Sequence, residues 1–208
     1  MYDNINLEDI NLDEKRVDIW KQLQIVEYET YKKSPIGVFS VDSCKGAIEV
    51  GNFLRDNVKG KCLDVGCGLL SEPAYMKNQP NIEFIGIDPF DDKIKREFKF
   101  VCGIGEYLPF EDETFDGVLF ATTIDHMINP QLAINEAYRV LKDKGVLIIW
   151  YTERNKPHLI YGNYDEHHQW GFTNEILIDF IQKAQFKKSI SCVVLESGNC
   201  EYIITTRK

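Results

Sequence analysis

Asp64, Gly66 and Gly68 lie in residues 61–73, KCLDVGCGLLSEP, the stretch with the clearest chemical signature in the chain. Cys62-Leu63-Asp64-Val65 reads as a short buried strand, Gly66-Cys67-Gly68 as a glycine turn, and a helix is expected over 71–78, stopped by Pro80. Strand, glycine turn and helix together present free backbone N–H groups to a ligand. Glycine lets the ligand approach the backbone and permits a turn with φ > 0. A carboxylate at that strand end suits an ammonium group or an ordered water better than a phosphate, which points to a zwitterionic ligand. The same turn would also serve tight strand-to-helix packing alone.

Asp88 follows Asp64 by 24 residues and ends a second apolar run, with FIGID at its core. A carboxylate there is placed to accept both hydroxyls of a ribose, although an aspartate at a strand end also serves as a helix cap. The third motif is 105–116, GEYLPFEDETFD, in which Pro109 and the acidic turn fix the path of a loop. The residues just after Cys102 would border the base of a nucleoside, with Leu108 and Phe110 tucked into the core.

These residues need a scaffold, and the pattern supplies one. From residue 61 on, apolar runs alternate with helical stretches, which implies a parallel sheet covered on both faces. Strands are expected at 61–66, 82–87, 98–102, 115–121 and 146–151, with a short crossover helix of one or two turns in 89–97. A helix over 130–142 has Asn129 as its cap, Pro130 in its first position and Gly145 beyond its end. Thr173 is expected to cap a further helix with Leu177, Phe180, Ile181 and Ala184 inward. Strands at 188–195 and 201–205, joined by a turn at 196–199, form a final hairpin. Ahead of the sheet, residues 1–12 read as a polar arm or lid. A helix over 13–33 would bury Val17, Trp20, Leu23 and Val26, and another over 43–57 would bury Ala47, Val50 and Leu54.

The chain has 208 residues, 44% hydrophobic and 27% charged, as expected for one globular core. A net charge of -9 argues against non-specific nucleic-acid binding. The first residues lack the pattern of a signal peptide, and the apolar run 146–151 is too short to span a membrane. Cysteines 44, 62, 67, 102, 192 and 200 include no Cys-x-x-Cys pair. They read as reduced thiols of a cytoplasmic protein without a zinc site. The basic run Lys93, Lys95, Arg96 and Lys99 reads as a solvated face.

The blocks CLDVGCG, GIDP, GEYLPFEDETFDGV and YRVLKDKGVLII, in this order and spacing, resemble the class I S-adenosylmethionine-dependent methyltransferases. Within them they resemble most the small-molecule subgroup related to the ubiquinone-biosynthesis C-methyltransferases. The resemblance covers about residues 45–206. It implies an α/β, Rossmann-like three-layer sandwich whose seven-stranded, mostly parallel sheet runs 3-2-1-4-5-7-6, with the last strand antiparallel. Residues 1–44 would then be an N-terminal arm and helix forming a lid over the acceptor site, and 45–208 the methyltransferase domain. The cofactor would be S-adenosyl-L-methionine. Asp64, Gly66 and Gly68 would meet its methionyl part, Asp88 its ribose, and Pro89 or Phe90 one face of its adenine. Gly105 and Glu106 would border the adenine edge, and Ala121 and Thr122 would lie near the sulfonium. Two positions depart from the family: Leu70 replaces its third glycine, and Ile104 an acid that meets the adenine amino group. A dinucleotide turn would want glycine or alanine where the chain has Leu70-Ser71.

In such a sheet the segment after the fourth strand, 122–127, lies near the transferred methyl. His126 is the first candidate base for an alcohol or phenol acceptor, and as a plain loop residue it would cap the next helix or pack under the lid. The stretch 165–170, DEHHQW, resembles the segment before the penultimate helix in methyltransferases acting on sugars. His167 or His168 would be a second base and Trp170 a substrate wall, unless the loop is simply solvated. A metal held by His167, His168, Asp165 and Glu153 matches no strong ligand spacing, and none is expected. Tyr151 and Glu153 would line the acceptor pocket, joined by Trp20, Tyr28 and Tyr31 unless these are core residues. The reading is a methyltransferase acting on a small molecule, with oxygen of a sugar or other metabolite as the acceptor. The competing reading is a catalytically silent protein of that fold that binds a cofactor or a protein partner.

Overall fold

The computed structural model describes residues 7, 10–33, 42–90, 93–154, 167–187, 191–194 and 201–207. Among the described residues, four α-helices accompany a seven-stranded sheet. The helices are α1 (Glu14–Lys33), α2 (Lys45–Asn57), α3 (Pro130–Val140) and α4 (Asn174–Lys183). The strands are β1 (Gly60–Val65), β2 (Ile82–Asp88), β3 (Lys99–Cys102), β4 (Phe115–Ala121), β5 (Leu141–Tyr151), β6 (Ser191–Val194) and β7 (Glu201–Thr206). Their order is β3-β2-β1-β4-β5-β7-β6. The β1–β5 pairs are parallel, and β7 runs antiparallel to both β5 and β6. The turn expected at 196–199 lies outside the described residues, as do most of the N-terminal arm and residues 34–41.

The central strands are buried on both faces, as parallel strands must be. Leu63, Val65, Val118, Phe120, Leu147 and Ile149 face α3 and α4 in one apolar cluster. Cys62, Leu119, Ala121, Ile148 and Trp150 face α2 in the other. Asn129 caps α3 as expected, its side chain accepting from the Leu132 N–H at 3.2 Å, with Pro130 in the first position.

Several elements differ from the sequence expectation. No α-helix forms over 71–78, where a 3-10 turn at Ala74–Met76 is all that appears. Pro73 and Pro80 bracket too few residues for a helix, and each biases the residue before it away from helical angles. The described part of the 89–97 crossover has no helix either. Helix α3 stops at Val140 rather than 142, because Leu141 pairs directly with Phe115 in the sheet. Gly145, expected beyond that helix, lies inside β5. A Cβ there would come within 2.9 Å of the Lys142 carbonyl, so the strand's irregularity needs glycine. Thr173 makes no side-chain cap; the Glu153 carboxylate accepts from the Asn174 N–H at 3.0 Å instead. In α1, Trp20 and Leu23 are buried, but Val26 is 40% exposed. A spacing of three falls short of the helical turn, so Val26 lies half a turn from Val17.

Candidate active site

At the carboxyl ends of β1, β2 and β4 the chain encloses a cleft of about 600 Å³, part of it open to solvent. Its floor is the glycine turn. Gly66 and Gly68 both take positive φ, +80° and +66°, the backbone that favours glycine. Space is tight as well: a Cβ on Gly66 would fall 2.6 Å from Thr123 Cγ2. Thr123 is itself fixed, its hydroxyl donating to the Val65 carbonyl at 2.7 Å.

Asp88 locks this floor to the next loop. Gly68 N–H donates to its Oδ2 at 2.8 Å and Phe90 N–H to its Oδ1 at 2.9 Å. Burial pushes the Asp88 carboxyl up to about 6, against the pull of these two N–H groups and of Arg96. Each oxygen keeps a lone-pair direction for a ligand. Arg96 braces the turn from outside the cleft, donating to the Gly68 carbonyl at 3.1 Å with its guanidinium 3.7 Å from the Phe100 ring centre. Half-buried, it is not part of the solvated face expected of the basic run.

Gly103, Ile104, Gly105 and Glu106 form one wall. Burial raises the Glu106 carboxyl, offset first by the Asn129 N–H that it accepts at 3.0 Å. Ile104 packs with Trp20 and Ile128, so the departure from the family pattern is an apolar wall. Arg139 holds the loop behind it, donating to the carbonyls of Leu108 and Phe110 and to Glu136 and Asp112.

A second wall comes from α1. Trp20, Gln24, Glu27 and Tyr31 line the cleft. At 100° per residue these four fall within about 60° of arc. The signal was in the sequence as a mixed aromatic and polar stripe, which a search for apolar periodicity passes over. Tyr28 stands beside it, its ring 5.4 Å from Phe90. The third side is the exit of β4, with Thr122, Thr123, His126 and Met127.

Of the residues expected at the site, Gly66, Gly68, Asp88, Pro89, Phe90, Gly105, Glu106, Thr122 and His126 all line the cleft. Asp64 does not. Strand alternation turns it to the α2 face, where it is fully buried and accepts from the Tyr75 hydroxyl at 2.8 Å. Burial raises its carboxyl to about 7, the Tyr75 bond lowering it and Asp88 raising it further. His168 lies outside the cleft wall but against His126, ring centres 4.8 Å apart. Trp170 packs under α1, its indole N–H on the Met127 carbonyl at 2.7 Å and the Arg16 guanidinium 4.0 Å above its ring. Tyr151 and Glu153 are not in the cleft: Tyr151 bonds Asn174, and Glu153 caps α4. Asp165 lies outside the described residues.

The lining has three carboxylates, Glu27, Asp88 and Glu106, and no lysine or arginine among the described residues. That donor set suits a cationic nucleoside with hydroxyls to bind, and it opposes a phosphate.

A family model described as Methyltransferase domain matches residues 63–149. An uncharacterised protein of Methanocaldococcus jannaschii is 34% identical over 113 residues, covering 51% of this chain and 52% of that protein. The mitochondrial ubiquinone biosynthesis O-methyltransferase of Bos taurus is 36% identical over 117 residues, covering 49% of this chain and 30% of that enzyme. The chain thus spans about half of one relative and a third of the other. Among solved structures, a Burkholderia thailandensis 1,6-didemethyltoxoflavin-N1-methyltransferase with bound S-adenosylhomocysteine superposes with TM-score 0.69. The match covers 95% of this chain and 91% of that one at 16% identity, a likeness of fold. Sheet order, glycine turn and family match agree: residues 63–149 match a methyltransferase domain, and the fold is that of the class I S-adenosylmethionine-dependent methyltransferases. Among the described residues no helix is long and apolar enough to cross a membrane.

Proposed function

We propose that this protein transfers a methyl group from S-adenosylmethionine to a small-molecule acceptor, an oxygen of a sugar or other metabolite. The observation that carries the reading is the cleft lining, with three carboxylates and no lysine or arginine among the described residues. When bound, the cofactor supplies a methyl group on a positively charged sulfur. Asp88 would accept the ribose hydroxyls with the lone pairs its two backbone bonds leave over. Gly66 and Gly68 give the methionyl part close access to the main chain, while Asp64 stiffens the turn from behind through Tyr75. Pro89, Phe90, Gly105 and Glu106 would enclose the adenine, and Thr122 would stand near the sulfur. Residues 1–44 cover the acceptor, α1 bringing Trp20, Gln24, Glu27 and Tyr31 over the cleft. Residues 45–208 form the methyltransferase domain.

His126 and His168 activate the acceptor. His126 follows β4 and lines the cleft, and His168 packs against it, ring centres 4.8 Å apart. Methyl transfer is a displacement at carbon, so holding the acceptor oxygen in line supplies much of the acceleration, and removal of its proton supplies the rest.

Calorimetric titration with S-adenosylmethionine and S-adenosylhomocysteine tests the reading on wild type and Asp88→Ala. Binding on the order of -8 kcal/mol that the variant loses is the expected result, with circular dichroism checking that the variant folds. A folded wild type that binds neither ligand would sink it.

A further inference from the structure

We propose that Asp125, His126 and His168 form a divalent-cation site of the zinc type at the acceptor end of the cleft. Its use in catalysis rests on the methyltransferase reading above; its existence does not.

The three side chains offer one ligand atom each, all within 4.8 Å of one another. His126 Nε2 stands 3.8 Å from Asp125 Oδ1, and His168 Nε2 stands 3.8 Å from Asp125 Oδ2. At 3.8 Å neither contact is a hydrogen bond. The geometry is that of two imidazoles and a carboxylate around a common point. Zinc bonds of about 2.0–2.2 Å set tetrahedral donors roughly 3.3 Å apart, so small side-chain rotations close the set. Two imidazoles and one carboxylate, with a fourth position open, is a donor set that catalytic zinc uses.

Two further observations point to an occupant. Asp125 is 7% exposed, and its Oδ1 has no hydrogen-bond partner among the described residues. Its neighbour Gln169, fully buried, has neither amide atom partnered among them. Buried polar atoms in that condition call for a water or an ion. The ligands are also held in place before anything binds. Gln169 and Trp170 N–H both donate to the Asp125 carbonyl at 3.2 Å, and the Trp170 indole reaches the Met127 carbonyl. Three hydrogen bonds thus clamp the His168 segment onto the 3-10 turn Ile124–His126. The side chains are 11%, 20% and 23% exposed, so this is not a solvated acidic surface.

His126 lines the cleft, so a coordination position left open on that side would face an acceptor bound there. A hydroxyl bound there becomes acidic enough to lose its proton to a solvent base. The freed oxygen pair then forms the bond to the methyl carbon, and the carbon–sulfur pair returns to sulfur, leaving a neutral thioether. The two histidines act as ligands, which explains why the chain sets two imidazoles side by side.

The test loads the full chain with Zn²⁺ and, separately, Co²⁺, without cofactor. Expected are one bound metal per chain by elemental analysis and a Co²⁺ absorption spectrum of four-coordinate type. His168→Ala and Asp125→Asn should weaken Zn²⁺ binding by at least the roughly 10–100-fold that losing even an outer-shell partner costs. Both variants should still bind S-adenosylhomocysteine, which shows that they fold. A wild type that binds cofactor but retains no metal overturns the site and leaves the methyltransferase reading standing. Zinc binding unchanged in both variants overturns it too. Metal bound as expected by a chain that binds no cofactor supports the site and sinks the reading of function instead.

Discussion

At the glycine-turn end of the cleft the main chain does the holding. Asp88 ties the N–H groups of Gly68 and Phe90, Glu106 ties that of Asn129, and Arg96 and Arg139 brace carbonyls from outside. At the histidine end side chains from three distant stretches meet: Trp20 to Tyr31 on α1, Thr122 to Met127 after β4, and His167 to Trp170. One end ties together the loops and strand ends of the sheet between Gly68 and Arg139; the other also needs α1 and the 167–170 segment, from both sides of that stretch, to reach the end of β4. A cofactor common to a large family suits the first, and an acceptor peculiar to one enzyme suits the second.

The largest contrast should come from one substitution at each end. Gly66→Ala places a methyl group 2.6 Å from Thr123 Cγ2 on a backbone held at φ +80°. The left-handed conformation costs about 1–2 kcal/mol and the overpacking about 1–3. Urea denaturation should therefore show a loss of about 2–5 kcal/mol, enough to threaten the fold of a domain. His168→Ala, at the other end, should change stability by under about 1 kcal/mol while reducing turnover. Equal losses of stability would erase the distinction between the ends.

A second contrast is in pH. Asp64 rises to about 7 and Asp88 to about 6 in the folded chain, each through burial first. An unfolded aspartate titrates near ~3.9. Between those values the folded state binds more protons than the unfolded one, so stability falls as pH rises from about 4 to 7. Asp64→Asn keeps the shape and an acceptor for the Tyr75 hydroxyl but removes one of the two titrations. Its stability should decline less over that interval, the two curves separating by about 2–4 kcal/mol. Parallel curves for wild type and variant would mean that Asp64 is not the group responsible.

The same division explains what the sequence revealed. The glycine turn, Asp88, the 105–116 loop and the alternation of strands and helices were legible because each is marked by a few neighbouring residues: φ > 0 at Gly66 and Gly68, a carboxylate at a strand end, alternating apolar runs. The strand order came only with the family resemblance. Asp64 was placed correctly along its strand but on the wrong face, since nothing local says that Tyr75 lies opposite. The 71–78 helix failed because two prolines outweighed its composition. The histidine end was only half visible. His126 and His168 stood out as residue types, but Asp125 and Glu27 did not, because their role depends on neighbours that only the fold brings near.

Glu27 offers the mildest way to sharpen the comparison. It sits on α1, lines the cleft, and pairs with His167 Nδ1 at 2.7 Å. The pair is partly exposed, so Glu27→Gln should cost under about 1 kcal/mol of stability, less at high salt. Its effect on binding should depend on ligand charge. The substitution takes one of three carboxylates from the cleft, and S-adenosylmethionine differs from S-adenosylhomocysteine by the positive charge on its sulfur. Affinity for the first should drop about 2–5-fold and for the second less. Equal drops would mean that Glu27 shapes the wall without meeting the charge, and that α1 contributes packing alone to the acceptor end.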